Sequence, residues 1–162
     1  MRIRLTKLSD ERHALEIERD DRRRERVELE TRSTLLHDLT HFAVEEAAAI
    51  DQGFFGSLAA GKTLAELSGR SGEAPPPYTG VLLEVERTVA VLQHLTRTGE
   101  TPAAAHERIT AMLAVQGGQP PAWFTLELVG RVQERMRRLV GQWKATPYGS
   151  AMELDWPRAR PS

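Results

Sequence analysis

The sequence predicts an α+β fold: a three-stranded antiparallel meander, with a fourth, C-terminal strand as an option, packed on four to five helices. Residues 1–32 alternate apolar and charged side chains with a period of two, which is typical of strands with one buried face. From residue 33 onward, apolar residues recur at helical spacing. At 162 residues without cysteine, the chain has the length of one domain and excludes disulfides, thiolate nucleophiles and Cys-ligated metal centres.

The alternation in the N-terminal block places strands at about residues 2–8, 13–19 and 24–31. Side chains that favour turns separate them, at Ser9-Asp10-Glu11 and at Asp20-Asp21-Arg22. The many charges of this block are therefore predicted to form the solvent face of a sheet.

The first predicted helix runs from Ser33 or Thr34, as N-cap, to about residue 49. A short helical piece follows at residues 53–67, and a loop rich in Gly and Pro follows at residues 68–80. Helical spacing resumes from Val81 to Thr96.

Proline and glycine punctuate the rest of the chain. Thr101-Pro102 starts a helix that Gly117-Gly118 ends, and Pro120-Pro121 opens the longest helix, predicted at about 121–144. Apolar residues then alternate with acids between Met152 and Trp156, which indicates a returning strand. The single domain is thus divided into a meander, a helical part, a loop, a second helical part and a C-terminal strand with its tail: 1–32, 33–67, 68–80, 81–146 and 147–162.

Polar residues of the first predicted helix form a candidate metal site. At about 100° per residue, His37, His41 and Glu45 fall within an arc of about 80°, with Asp38 at its edge, opposite the apolar face of this helix. Two imidazoles at i and i+4 with nearby carboxylates are a spacing by which one helix ligates a divalent ion such as zinc, iron or manganese. A further ligand has to come from elsewhere, with three candidates: His94, His106 and Glu84. Alternatively, the acids lie on the helix surface and the histidines bond to neighbouring elements.

The string from His37 to His41, H-D-L-T-H, is similar to the zinc-type H-D-x-x-H motif of the ubiquinone-biosynthesis scaffold family. This resemblance covers five residues and implies a metal site that includes His37, Asp38 and His41. The family motif continues with a glutamate twelve positions after the second histidine, where this chain has Gly53.

A second string, from Gly56 to Thr63, matches the pattern G-x-x-x-x-G-K-[ST] and resembles the P-loop NTPase family over those eight residues. The resemblance implies a magnesium-nucleotide site at Gly56, Gly61, Lys62 and Thr63. A working phosphate loop follows a buried parallel strand, whereas this string follows a predicted helix. In the alternative interpretation, the small residues allow a tight turn and Gly61 ends a helix.

The leading functional hypothesis is a non-catalytic interaction or regulatory module that binds a protein partner or associates with itself. The alternative is a divalent-metal protein, with hydrolysis as a further option, and nucleotide binding ranks third; whether the chain is an enzyme stays open. A net charge of −1 argues against general nucleic-acid binding. A cytoplasmic location without membrane contact is expected, since the sequence has no apolar run of membrane-spanning length and no signal-peptide pattern.

Overall fold

The computed structural model describes residues 1–68, 78–95, 99–115 and 119–157. Within these ranges it confirms the α+β class, with four strands, six α-helices and one π-helical turn. The elements in chain order are β1 (Arg2–Lys7), β2 (Arg12–Glu18), β3 (Arg24–Glu30), the π-helical turn (Thr31–Leu35), α1 (Leu36–Ala48), α2 (Phe54–Ala59), α3 (Leu64–Ser68), α4 (Gly80–Leu95), α5 (Pro102–Val115), α6 (Leu126–Ala145) and β4 (Ala151–Asp155).

The sheet has the order β3-β2-β1-β4, and every neighbouring pair is antiparallel. Ile3 of β1 lies opposite Ile17 of β2 on one side and opposite Leu154 of β4 on the other. The predicted meander and its optional C-terminal strand are therefore both confirmed, and the last strand adds to the edge of β1.

The two faces of the sheet differ as the alternation predicts. One face is buried and contributes to the core through Ile3, Leu5, Leu15, Ile17, Leu29, Met152 and Leu154. The other face carries cross-strand ion pairs: Arg4 reaches Glu16 at 3.9 Å and Glu153 at 3.0 Å. Most charged side chains of the N-terminal block thus lie on the solvated sheet face, where such pairs add little stability individually, whereas Arg19 is buried and donates to the carbonyl oxygen of Leu58 at 3.0 Å.

The helix α1 is central to the helical part because it packs against both α4 and α6. Its buried residues include polar side chains as well as apolar ones, so the expected separation of a polar face from the core is wrong. In α6, six buried side chains form an apolar stripe: Leu128, Val129, Val132, Met136, Leu139 and Trp143. No helix among the described residues combines the length and the apolar character needed to cross a bilayer.

The predicted start of the first helix is wrong. Ser33 and Thr34 lie in the π-helical turn, where their hydroxyls donate backwards instead of capping α1. Ser33 Oγ lies 2.7 Å from the carboxylate of Glu30, and Thr34 Oγ1 lies 2.8 Å from the carbonyl oxygen of Glu30. The local side-chain to backbone bonds thus stabilise a different turn.

Two other helix boundaries also differ from the prediction. The last helix begins at Leu126, not at residue 121, because the hydroxyl of Thr125 accepts a hydrogen bond from the amide of Leu128 at 3.1 Å and caps the helix. The short helical piece is divided into α2 and α3 by Gly61, whose φ is +108°, so the described residues contain six helices. Most of the predicted loop, the Gly117-Gly118 stop and the tail from residue 158 lie outside the described residues.

Candidate metal site

Two histidines of α1 and one glutamate of α4 converge at a candidate metal site. The Nε2 atoms of His37 and His41 lie 3.2 Å apart. Oε2 of Glu86 lies 3.4 Å from Nε2 of His41 and 3.8 Å from Nε2 of His37. Ligand atoms bound at about 2.0–2.1 Å to a tetrahedral ion are separated by about 3.3–3.4 Å. Two of the three distances are close to this value, and the third, between Glu86 and His37, is about 0.4 Å longer.

The helices explain this convergence. His37 and His41 are one turn apart, so their rings lie on the same side of α1, with centroids 4.6 Å apart. Glu86 follows the buried Val85 on α4, and α4 packs directly against α1. Packing of the apolar face of α4 therefore brings Glu86 to the two histidines.

Glu45 contacts the opposite nitrogen of the His41 ring. Its Oε1 lies 3.0 Å from Nδ1 of His41, and its carboxylate also accepts the backbone N–H groups of Phe54, Phe55 and Gly56 at 2.8, 2.9 and 3.2 Å. The side chain of Glu45 is fully buried. The carboxylate of Glu45 therefore accepts hydrogen bonds and orients the ring of His41, whereas the sequence predicted Glu45 as a metal ligand.

Gly53 leaves the space that the Glu45 carboxylate occupies. A Cβ atom built on Gly53 would lie 2.3 Å from Cδ of Glu45, well inside van der Waals contact. A side chain at this position, such as the glutamate of the H-D-x-x-H family motif, is incompatible with the observed position of Glu45. Glycine at position 53, where this chain departs from the motif, thus leaves room for the buried carboxylate of Glu45.

The electrostatics of the site favour one charged and one neutral ring. Burial alone lowers the pKa of His41, but its hydrogen bonds to Glu45 and Glu86 and the charges of both acids outweigh burial and raise this pKa to about 9. Burial, reinforced by the charge of His41, lowers the pKa of His37. His41 is then an imidazolium near neutral pH, and its Nε2 proton lies between Glu86 and the lone pair of His37.

Of the other residues considered from the sequence, none that is described joins this cluster. Asp38 is buried and makes other interactions. Glu84 accepts a hydrogen bond from Nε1 of Trp123 at 3.3 Å, and the ring of His106 stacks on Phe124. The side chain of His94 lies outside the described part of the chain.

Glu86 is not predicted from the sequence, where Glu84 is the candidate instead. The two acids flank Val85, so each is rotated by about 100° from this buried residue, on opposite edges of the apolar face of α4. Helical periodicity identifies both edges but does not tell which one faces α1. Only the packing of the two helices makes that choice.

The string that resembles a phosphate loop has a structural role. It follows α1 and a turn, not a strand; Gly56 lies inside α2. The amides of Gly61 and Lys62 close the C-terminal turn of α2, as its alternative interpretation predicts. Thr63 caps α3: its hydroxyl accepts a hydrogen bond from the backbone N–H of Glu66 at 3.2 Å, and its own backbone N–H donates to the carboxylate of Glu66 at 2.6 Å. Nucleotide binding at this string stays a prediction.

The cluster is accessible from one side. The side chain of His41 is 2% exposed, whereas those of His37 and Glu86 are 33% and 18% exposed. A fourth ligand would therefore approach past His37 and Glu86.

Comparisons of this chain with protein-family models, curated proteins and solved structures find no match.

Proposed function

We propose that this protein binds a divalent metal ion, zinc, through Nε2 of His37, Nε2 of His41 and a carboxylate oxygen of Glu86. The observation that supports this is the convergence of these atoms at 3.2, 3.4 and 3.8 Å. Cis ligands of an octahedral ion with similar bond lengths lie about 2.9 Å apart. The distances therefore favour the tetrahedral geometry of zinc over that of iron or manganese.

The hydrogen bonds around the cluster support the same function. Histidines that ligate metals usually donate their second ring N–H to a carboxylate or carbonyl, which fixes the tautomer and the orientation of the ring. Glu45 has this position relative to His41, and three backbone N–H groups hold its carboxylate in place. When a metal replaces the Nε2 proton, His41 still donates from Nδ1 to Glu45.

The donor set also indicates a class of activity. Two histidines and one glutamate, with a fourth position open, form the ligand set of hydrolytic zinc enzymes, in which the ion lowers the pKa of a bound water to about 7. The exposed edge formed by His37 and Glu86 gives that position access from outside. We therefore propose metal-assisted hydrolysis as the reaction class.

Metal binding is tested by titrating the metal-stripped protein with zinc in a calorimeter and by elemental analysis after dialysis. We expect one zinc ion per chain, and a loss of affinity of at least a hundredfold in His37→Gln and in Glu86→Gln. Two matched controls, Glu84→Gln and His106→Gln, remove the same groups outside the cluster and should bind zinc as the original protein does.

The geometry of the bound ion is tested with cobalt. A tetrahedral Co²⁺ site absorbs visible light strongly, so the visible spectrum of the cobalt-loaded protein distinguishes a tetrahedral from an octahedral site. An original protein that binds no metal, or a Glu86→Gln variant that binds zinc unchanged, contradicts the proposal. An octahedral spectrum with preference for Fe²⁺ or Mn²⁺ contradicts the choice of zinc.

The interaction or regulatory module suggested by the sequence, with a protein partner or self-association, stays a prediction, as does the cytoplasmic location. A metal site does not conflict with either. Size-exclusion chromatography of the metal-free and the zinc-loaded protein gives the oligomeric state in both forms.

A further inference from the structure

A cavity that is separate from the candidate metal site lies between the π-helical turn, α1 and α6. Its volume is about 730 Å³, and residues 99–100 form part of its wall. This size is within the range of about 300–1,000 Å³ that is usual for small-molecule sites. Its floor is apolar: Leu35, Leu36, Leu39, Met136, Val140 and Trp143.

The rim of this cavity is basic. Arg32, Arg137 and Lys144 line it together with a single acid, Glu100. The carboxylate of Glu100 already pairs with Arg108, and Arg137 pairs with Glu134. Among the described residues, no ion pair involves Arg32 or Lys144, so the rim has an excess of positive charge above an apolar floor.

Gly141 of α6 lines the cavity. It lies inside a helix, where glycine is less favourable than alanine. A Cβ atom at Gly141 would meet nothing within 4 Å, so close packing does not explain the glycine. Gly141 lines the cavity, so a larger side chain at this position would reduce the space available to a ligand.

The backbone at the opposite wall is unusual as well. Thr31, Arg32 and Leu35 of the cavity lining belong to the π-helical turn. Such turns are rare and occur frequently at functional sites. The hydroxyls of Ser33 and Thr34, both bonded to Glu30, stabilise this turn.

From these observations we propose that the cavity binds a small amphipathic anion, an alkyl or aryl carboxylate, with its apolar part on the floor and its carboxylate at Arg32 and Lys144. Charge complementarity favours this ligand over a neutral or cationic one. The proposal does not depend on the metal site, because His37, His41 and Glu86 are not among the lining residues.

Decanoate is a suitable probe, and Trp143 in the cavity floor gives a fluorescence signal. Decanoate should bind the full chain with a micromolar Kd, at least tenfold tighter than decanol and decylamine, which have the same chain length. Gly141→Leu should fold, since leucine is a better helix former, and should weaken decanoate binding at least tenfold.

The role of the rim is tested by Arg32→Gln/Lys144→Gln, which should also weaken binding at least tenfold. The control Arg131→Gln/Arg138→Gln also removes two positive charges, but from residues of α6 that do not line the cavity. It should leave decanoate binding unchanged. Equal binding of decanoate and decanol, unchanged binding by the Gly141→Leu variant, or no binding at millimolar decanoate overturns the proposal. A dimer that Gly141→Leu dissociates while decanoate does not bind assigns the cavity to a second copy of the chain instead.

Discussion

Nδ1 of His41 lies 3.0 Å from Oε1 of Glu45, and this pairing directs Nε2 of the same ring towards His37 and Glu86. The pair is buried, and the N–H groups at the start of α2 bind the same carboxylate. Glu45 therefore connects the cluster of His37, His41 and Glu86 to the packing of α2 on α1.

Glu45→Gln tests this connection. The variant keeps the size of the side chain but removes the charge that pairs with His41. We expect zinc affinity to fall by about 10–100-fold, as for other groups that orient a ligand, and the free energy of unfolding to fall by about 3 kcal/mol. Zinc calorimetry and urea unfolding measure the two effects.

The control for Glu45→Gln is Glu46→Gln, which changes the next residue of α1. Glu46 pairs with Arg135 at 2.6 Å on a partly exposed surface, so its removal should cost less than about 1 kcal/mol. Zinc affinity should be unchanged. If the two variants behave alike, Glu45 does not orient His41.

Gly53→Ala tests the close approach of Gly53 to the same carboxylate. Because the new Cβ atom would overlap the Glu45 side chain, Glu45 has to move away from the N–H groups of α2. We expect zinc affinity to fall at least tenfold and stability to fall by about 1–3 kcal/mol. Gly141→Ala, where the Cβ meets open space, should instead stabilise the protein by up to about 1 kcal/mol. A Gly53→Ala variant with unchanged zinc affinity contradicts the expectation.

The sequence predicts best those features that depend on interactions between residues close together in the chain. The strands of the meander lie within about one residue of their predicted bounds, because alternation of Ile3 and Leu5 with charged neighbours is a local pattern. The helix starts at residues 33 and 121 were wrong because hydroxyl groups have competing local partners. Thr34 bonds to Glu30 outside α1, and Thr125 rather than a proline starts α6.

In the candidate site too, local spacing is predictable from the sequence, whereas the packing of distant segments is not. One helical turn of spacing is sufficient to predict that His37 and His41 lie together. Glu45 has the same spacing from His41, yet its carboxylate turns to amides of α2 whose position depends on the chain reversal after α1. Glu86 is forty-five residues from His41, and only the packing of α4 on α1 selects it over Glu84.

Zinc binding should release a proton. With its pKa near 9, His41 carries a proton on Nε2 at pH 7.5, and the metal has to displace it. His37 has a lowered pKa and is neutral at this pH, so about one proton should be released per zinc ion. Calorimetry in two buffers with different ionisation enthalpies counts the proton. The Kd for zinc should increase about tenfold when the pH is lowered from 8.5 to 7.5. A Kd that is independent of pH contradicts a protonated His41.

The metal-free protein should lose stability as the pH rises from about 6.5 to 9. The pKa of His41 is raised from 6.5 to about 9 on folding, so its contribution is fully present below pH 6.5 and is lost as the pH passes 9. The shift corresponds to about 3 kcal/mol between these limits. Urea unfolding with a chelator from pH 6 to 9.5 measures it, and His41→Gln should remove most of the slope while His106→Gln keeps it. An equal slope in His41→Gln, or a ring titration of His41 near pH 6.5 by NMR, would show that Glu45 and Glu86 do not hold the proton.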